Sequence, residues 1–443
     1  MKVAYIIPGT GGAFYCENCV RDLSLVRGLA ELGHEVCVVP MYLPVMPDEP
    51  HTVPESPVFY GAVRLYFEHC WPGLRWLPFA LRSWLDSAPF LRLAARRAGS
   101  TRAEGLEDLT LSMLRGEEGG QAFELERVVR WLKREVQPDV VHISNGLLLG
   151  LARRLSEELD ARIVCSLQDE DAWVDAMPDE FAEQVWSLMS ERAAEVTCVP
   201  VSQHYAARVG PRLGRADGFE HVVPLGVDTT RFHPPAARPV RPVIGYLSRL
   251  HEGLGLGVLV NAFILLKQSS ECQDARLRLA GGSTGEDAAF IKAIRQQLWR
   301  AGVMQDVDIV EAFDPASRAE FLQSLTLLSV PMPHGEAFGL FQLEAMACGV
   351  PVVQPAVGGF PEVAELTGGS RIYEPNDAAM LAATWKALLV DPAQLEALGQ
   401  QGLTSVRNGF TIKRMAERMS DVYTHLHSGP DRHTDRTPVL PHL

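Results

Sequence analysis

Nowhere in this 443-residue chain do about 18 apolar residues follow one another, the length that a membrane-crossing helix needs. The N-terminus enters a strand-like run at once, Met1-Lys-Val-Ala-Tyr-Ile-Ile7, so neither a transmembrane helix nor a signal peptide is indicated and the expected compartment is the cytoplasm. Positive charge is in short supply. Lys and Arg number 41 against 55 Asp and Glu, and the net charge of -14 disfavours nonspecific nucleic-acid binding and gives no overall attraction to anionic lipid. The 8 cysteines are too scattered for a disulfide framework and fit free thiols in a reducing compartment. Cys16 and Cys19 alone form a close pair; the C-x-x-C spacing suits a redox couple or half of a zinc site, but no second pair follows to complete four ligands. A full G-x-G-x-x-G fingerprint is also missing around Gly9 to Gly12, which argues against a dinucleotide oxidoreductase.

What is present is length for two domains of roughly 200 residues each, and a repeated alternation of apolar strands and amphipathic helices. The first unit reads as strand Val3 to Ile7, glycine turn Pro8 to Gly12, a helix through Leu32 and strand Val36 to Val39. Further strands are expected at 138–143, 163–167, 197–201 and 221–223, and after the Pro-rich linker 234–242 at 243–247, 276–280, 308–310, 327–330 and 352–353. The expected fold is α/β, two doubly wound Rossmann-like domains with the carboxyl ends of their sheets on a shared cleft. The expected division is 1–235, 236–409, a helical run 410–428 and a disordered polar tail 429–443. Residues 73–103 interrupt the alternation: Arg75, Arg82, Arg92, Arg96, Arg97 and Arg102 interleave with Trp76, Phe79, Trp84 and Phe90. This basic aromatic insertion reads either as a peripheral contact with the inner face of a membrane or a grip on a charged acceptor, or as an ordinary helical hairpin packing its aromatics inward.

Chemistry concentrates in Pro333 to Val353, where Glu336 and Glu344 stand with seven residues between them. Leu340, Leu343, Met346 and Ala347 recur at helical spacing between Gly339 and Gly349, so a short helix is expected there with Glu344 inside it among apolar neighbours. A carboxylate so placed is costly unless something bonds to it, and a pair of sugar hydroxyls can donate to both its oxygens. Glu336 lies just ahead of the helix, whose free amides near Ala337, Phe338, Gly339 and Leu340 suit a phosphate. Together these features describe a pocket for a phosphorylated sugar. The alternative at residue level is a buried Glu344 paired with a structural Arg and a Glu336 that only caps the helix.

This segment resembles the E-x7-E motif of glycosyltransferase family 4, retaining enzymes of the GT-B fold. The resemblance runs from the first glycine turn to the last helix and is most specific in that segment, in Pro224 to Phe232 and in Gly245 to Leu250. It implies that the closing helices 410–428 pack back on the first domain, that Glu336 faces the donor sugar, that Glu344 holds the nucleotide ribose, that Gly11 and Gly12 lie near the donor phosphate, and that Arg249 neutralises the diphosphate, a task to which a forked guanidinium is suited. Departures are equally specific. The lysine usual five residues after this arginine is Leu254, and Ser144 and Gln168 stand where family members often carry histidine, while Asp169 agrees. Ser144, Gln168, Asp169 and His334 are the acceptor-side candidates; His334 reads equally as a turn residue. Asp169-Glu-Asp171 has D-x-D spacing, but the implied fold handles diphosphate with Arg and helix amides, so no metal and no cofactor is expected. The implied activity is a metal-independent, retaining hexosyl- or related transferase. It would move sugar from a UDP-, GDP- or ADP-linked donor to a carbohydrate, lipid or small-molecule acceptor, with no nucleic acid as partner. The competing reading, motivated by Leu254, is a catalytically weakened GT-B protein that binds nucleotide or sugar as a partner or scaffold.

Overall fold

The computed structural model describes residues 1–8, 15–42, 105–310 and 314–428. Gly11, Gly12, the 73–103 insertion and the 429–443 tail lie outside the described residues.

Two parallel sheets carry the chain. The first comprises β1 (Lys2–Ile7), β2 (Glu35–Pro40), β3 (Val140–Ile143), β4 (Arg162–Leu167) and β5 (Thr197–Pro200), in the order β2-β1-β3-β4-β5. The second comprises β6 (Val243–Leu247), β7 (Arg276–Ala280), β8 (Val307–Ile309), β9 (Leu327–Leu328), β10 (Val352–Pro355) and β11 (Ser370–Tyr373), in the order β11-β10-β9-β6-β7-β8. Strands such as Val3–Ile7 are apolar at every position because helices cover both faces of a parallel sheet. In each sheet the winding reverses beside its first strand, between β1 and β3 and between β6 and β9. Loops leaving neighbouring strands diverge at such a point and open a crevice at their carboxyl ends. Arg249 follows β6 and Glu336 follows β9; on the other side Tyr15 and Glu17 follow β1, Ser144 follows β3, and Gln168 and Asp169 follow β4.

The Ile412–Ser428 helix lies on the first sheet, where Met415, Ala416, Met419, Val422 and Tyr423 join Val3, Tyr5, Leu25 and Val140 in one buried cluster. It approaches the Glu17–Glu31 helix so closely that a Cβ on Gly28 would lie 2.8 Å from Ala416 Cβ and from Ile412 Cγ2. His142 fastens it from below, one ring nitrogen on the Tyr423 hydroxyl and the other 2.8 Å from Ser166 Oγ. Burial pulls this imidazole down to about 3, so it is neutral at ordinary pH.

The Pro224 to Phe232 segment is where the first sheet's chain meets that helix. Val227 pairs with Thr411 through Val227 N–H to Phe410 O (2.8 Å) and Ile412 N–H to Val227 O (3.1 Å). Asp228 turns the backbone by accepting from Thr230 N–H and Oγ1 and pairs with Arg27. Two strand expectations change. Residues 221–223 form no strand: Val223 N–H makes a bond to Pro200 O at 3.0 Å, and Pro224 has no N–H with which to extend a ladder. β11 is an addition to the expected strands, because an edge strand opening Ser-Arg after Gly368-Gly369 carries little apolar pattern.

Candidate functional site

The segment from Gly335 to Leu340 leads into a helix, Leu340–Ala347, in which all eight residues are buried. Gly339 enters it at φ +91, a conformation that exposes successive amides and that residues with a Cβ rarely adopt. Those amides hold acids, and the acids come from the other domain. Glu17 Oε1 accepts from Gly339 N–H at 3.3 Å, and the Leu340 amide donates to the same carboxylate. Asp169, itself at φ +60, accepts from Ala337 N–H at 2.7 Å. Two carboxylates thus lie where the sequence called for a phosphate, which is the charge this helix start favours.

Glu336 sits among them with its Oε2 buried and without a hydrogen-bond partner. Burial, then the charges of Glu17 and Asp169, push its carboxyl well above the usual range. Asp169 is pushed up to about 8 by burial and by Glu17, despite the Ala337 amide. Glu17 is raised by burial against the pull of a hydrogen bond with Glu336 and of the Leu340 and Gly339 amides. Three carboxyl groups this close cannot all be ionised at neutral pH and must share protons.

Glu344 is fully buried, with Arg318 Nη2 3.1 Å from its Oε1 and the Tyr15 hydroxyl donating to its Oε2 at 3.3 Å. Burial lifts its carboxyl to about 7 against the pull of Arg318 and Arg231. The Arg318 guanidinium also lies over the rings of Tyr15 (5.5 Å) and Phe232 (5.3 Å). The pairing of Glu344 with an arginine, set out above as the alternative, is therefore present. Beside it a cavity of about 330 Å³, lined by Leu247, Gly281, Val310, Arg318 and Phe321 among others, opens at the carboxyl ends of β6 and β7.

Arg249 is 6% exposed and held as a fork: its Nε donates to Asp287 Oδ2 at 2.9 Å, and its Nη2 to Thr284 Oγ1 at 2.7 Å and to Asp287 Oδ1 at 3.2 Å. Although burial raises Asp287, Arg249 and the Thr284 amide hold it below the usual carboxylate range, so the pair is ionic. Leu254 packs half-buried on the core, and its carbonyl accepts from Tyr246 Oη at 3.1 Å.

The acceptor-side candidates divide. Ser144 and Gln168 are fully buried under the Glu17 carboxylate: Arg21 donates to the Ser144 carbonyl and, at 3.0 Å, to Gln168 Oε1, while Gln168 Nε2 donates to Glu17 at 2.9 Å. His334 is exposed. Asp169 and Asp171 have separate partners, the Ala337 amide and Arg208. Sequence reasoning missed Glu17, which lies inside the C-x-x-C pair read only for its thiols, and Tyr15 and Arg318, which lie in no recognisable motif. The Glu362 carboxylate accepts from Gln203 N–H (2.9 Å) and His204 N–H (2.7 Å), capping a helix of the first domain.

Residues 241–391, about a third of the chain, match a family model described as Glycosyl transferases group 1. The chain is similar to the lipopolysaccharide core biosynthesis mannosyltransferase LpsB of Rhizobium meliloti, 29% identical over 219 residues, 46% of this chain and 60% of the relative's length. It is similar to a glycogen synthase of Mycobacterium tuberculosis, 27% identical over 323 residues, 70% of this chain and 74% of the relative. Among solved structures, HepE of Anabaena in complex with UDP and glucose superposes with a TM-score of 0.69 at 16% identity, covering 96% of this chain and 99% of that one. The fold is GT-B, and the comparisons together support a GT-B glycosyltransferase.

Proposed function

We propose that the protein is a retaining, metal-independent glycosyltransferase that takes sugar from a nucleotide-diphosphate donor to a hydroxyl of a carbohydrate, lipid or small molecule. The observation that carries this reading is the Ala337 to Leu340 amide array, which binds two carboxylates between the domains, with Glu336 beside it and Glu344 one helix turn and more beyond. That HepE was solved with UDP and glucose supports a nucleotide sugar as the donor.

In this reading the donor diphosphate replaces Glu17 and Asp169 on the amides, and the fork of Arg249 turns from Asp287 and Thr284 to bond its oxygens. Glu344 turns from Tyr15 to the ribose hydroxyls, Glu336 holds the sugar hydroxyls, and the 330 Å³ cavity takes the base. Entry therefore requires the domains to part, which mutual repulsion among Glu17, Asp169 and Glu336 favours as they ionise. The bond from the anomeric carbon to the diphosphate breaks, the acceptor oxygen bonds on the same face, and a leaving-group oxygen takes the acceptor's proton. Fixed donors around the developing phosphate charge do the main work in such a step, without a dedicated base.

The test is a thermal-shift screen of UDP, GDP and ADP and their sugars, followed by intact-mass detection of transferred or hydrolysed sugar. Binding of one nucleotide with turnover supports the reading; binding without turnover supports the scaffold alternative that Leu254 motivates; no binding ends both. Leu254→Lys adds a cation near the diphosphate, and a charge-assisted bond is worth about 1.5–3 kcal/mol. Donor affinity is expected to rise about tenfold or more, measured by calorimetry, and unchanged affinity would remove Leu254 from the account.

A further inference from the structure

At the start of the helix that carries Glu17, directly after Tyr15, which reaches Glu344, stands a pair of thiols that the proposed reaction does not use. Cys16 and Cys19 are both half-buried, and their sulfurs lie 2.8 Å apart, Cys19 donating to Cys16. A disulfide needs about 2.05 Å, so closure asks for a shift of under about 1 Å. Cys16 is the residue immediately before the fifteen-residue Glu17–Glu31 helix, in extended backbone at φ -120 and ψ 105, where helix amides and dipole favour a thiolate. The Cys19 hydrogen bond lowers the Cys16 thiol, and the same bond raises Cys19. One sulfur is therefore set up to attack and the other to follow. The buried thiols of Cys198 and Cys348, pushed up to about 12 by burial, do not compete.

We propose that Cys16 and Cys19 are a reversible thiol–disulfide site that governs the Tyr15 to Glu17 segment of the cleft. The Cys16 thiolate attacks one sulfur of an external disulfide such as oxidised glutathione and releases one thiol. Cys19 then displaces the second, its own proton passing to solvent, so two protein thiols and one disulfide become one protein disulfide and two small thiols. The residues on either side connect this to the cleft. Tyr15 donates its N–H to Gly281 O at 2.9 Å and its hydroxyl to Glu344, and Glu17 rests on the Gly339 amide. Tying Cys16 to Cys19 stiffens the turn that seats both, so the oxidised protein holds Glu17 on the amides and admits nucleotide less readily. This last step rests on the donor reading above; formation of the disulfide does not.

The full chain is equilibrated with reduced and oxidised glutathione, quenched by alkylation, and read by intact mass and by mapping the peptide that contains both cysteines; UDP affinity is then measured in each state. The expected result is loss of two hydrogens with both thiols protected, reversal by dithiothreitol, and UDP affinity about tenfold weaker when oxidised. Cys19→Ser should give a mixed glutathione disulfide at Cys16, and Cys16→Ser neither product. Alkylation of both thiols at every ratio overturns the site. An intact disulfide with unchanged UDP affinity overturns its control of the cleft. If none of UDP, GDP and ADP binds either form, the donor reading fails; if GDP or ADP binds in place of UDP, its affinity is the one compared, and the mass result decides the disulfide in every case.

Discussion

Arg249→Ala is expected to lower kcat/KM for the nucleotide sugar by about three orders of magnitude, close to 4 kcal/mol of transition-state stabilisation. The figure is at the high end for one donor because the second cation usual in this arrangement is Leu254, leaving the diphosphate with a single fork and the helix amides. Arg249→Lys keeps the charge without two parallel hydrogen bonds and should recover only part of the loss. A structural role must be separated from this, since Arg249 also neutralises Asp287, whose side chain is 1% exposed. Removing one member of a buried pair costs about 3–5 kcal/mol of stability. Asp287→Asn supplies the control: it breaks the ion pair while leaving the guanidinium available, so melting temperature should fall and kcat/KM change modestly. If Asp287→Asn loses as much activity as Arg249→Ala, Arg249 acts on the fold and not on phosphate.

The sequence made legible what is local. The Leu340–Ala347 helix follows from Gly339, an apolar period and Gly349, and the positions of most strands follow from runs buried on both faces. Arg249 and Glu336 can be placed at one cleft from the strand pattern, because strand ends at a winding reversal must meet. Partners were not legible. Glu17 reaches Gly339 across 322 positions, and Tyr15 reaches Glu344 across 329, through contacts that exist only when the two domains close. Arg318 opens a short helix after β8 with nothing in its neighbourhood to mark it as the counter-charge of Glu344. Residues 221–223 show the opposite failure, an apolar pair with strand propensity whose ladder the following proline, lacking an N–H, cannot extend. Glu362 caps a helix of the opposite domain, a role that depends on interdomain placement alone.

Glu336→Gln should move activity and stability in opposite directions. Activity is expected to fall by about two to three orders of magnitude, since the amide no longer accepts from sugar hydroxyls through two oxygens or balances a developing positive sugar. Stability should rise at pH 8, because burial and the neighbouring Glu17 and Asp169 make the Glu336 charge unfavourable in the folded chain. The sign follows from proton binding. Glu336 is raised well above the ordinary range, Asp169 to about 8 and Glu344 to about 7, so the folded state binds more protons than the unfolded one above about pH 4. Their contribution is fully present below that pH and is lost as pH rises through the folded values. Gln removes this ionisation and, with it, the cost of keeping the buried Glu336 carboxyl protonated as pH rises. The melting temperature of Glu336→Gln should therefore equal that of the native protein near pH 4.5 and exceed it by a few degrees at pH 8, a gap of about 1 kcal/mol or more. A gap that is constant with pH would mean that Gln merely packs better, and a gap of the opposite sign would mean that Glu336 is stabilised as an anion. The predicted widening would identify a carboxylate kept at a cost to the fold, which a protein that no longer turned over its donor would have no reason to retain.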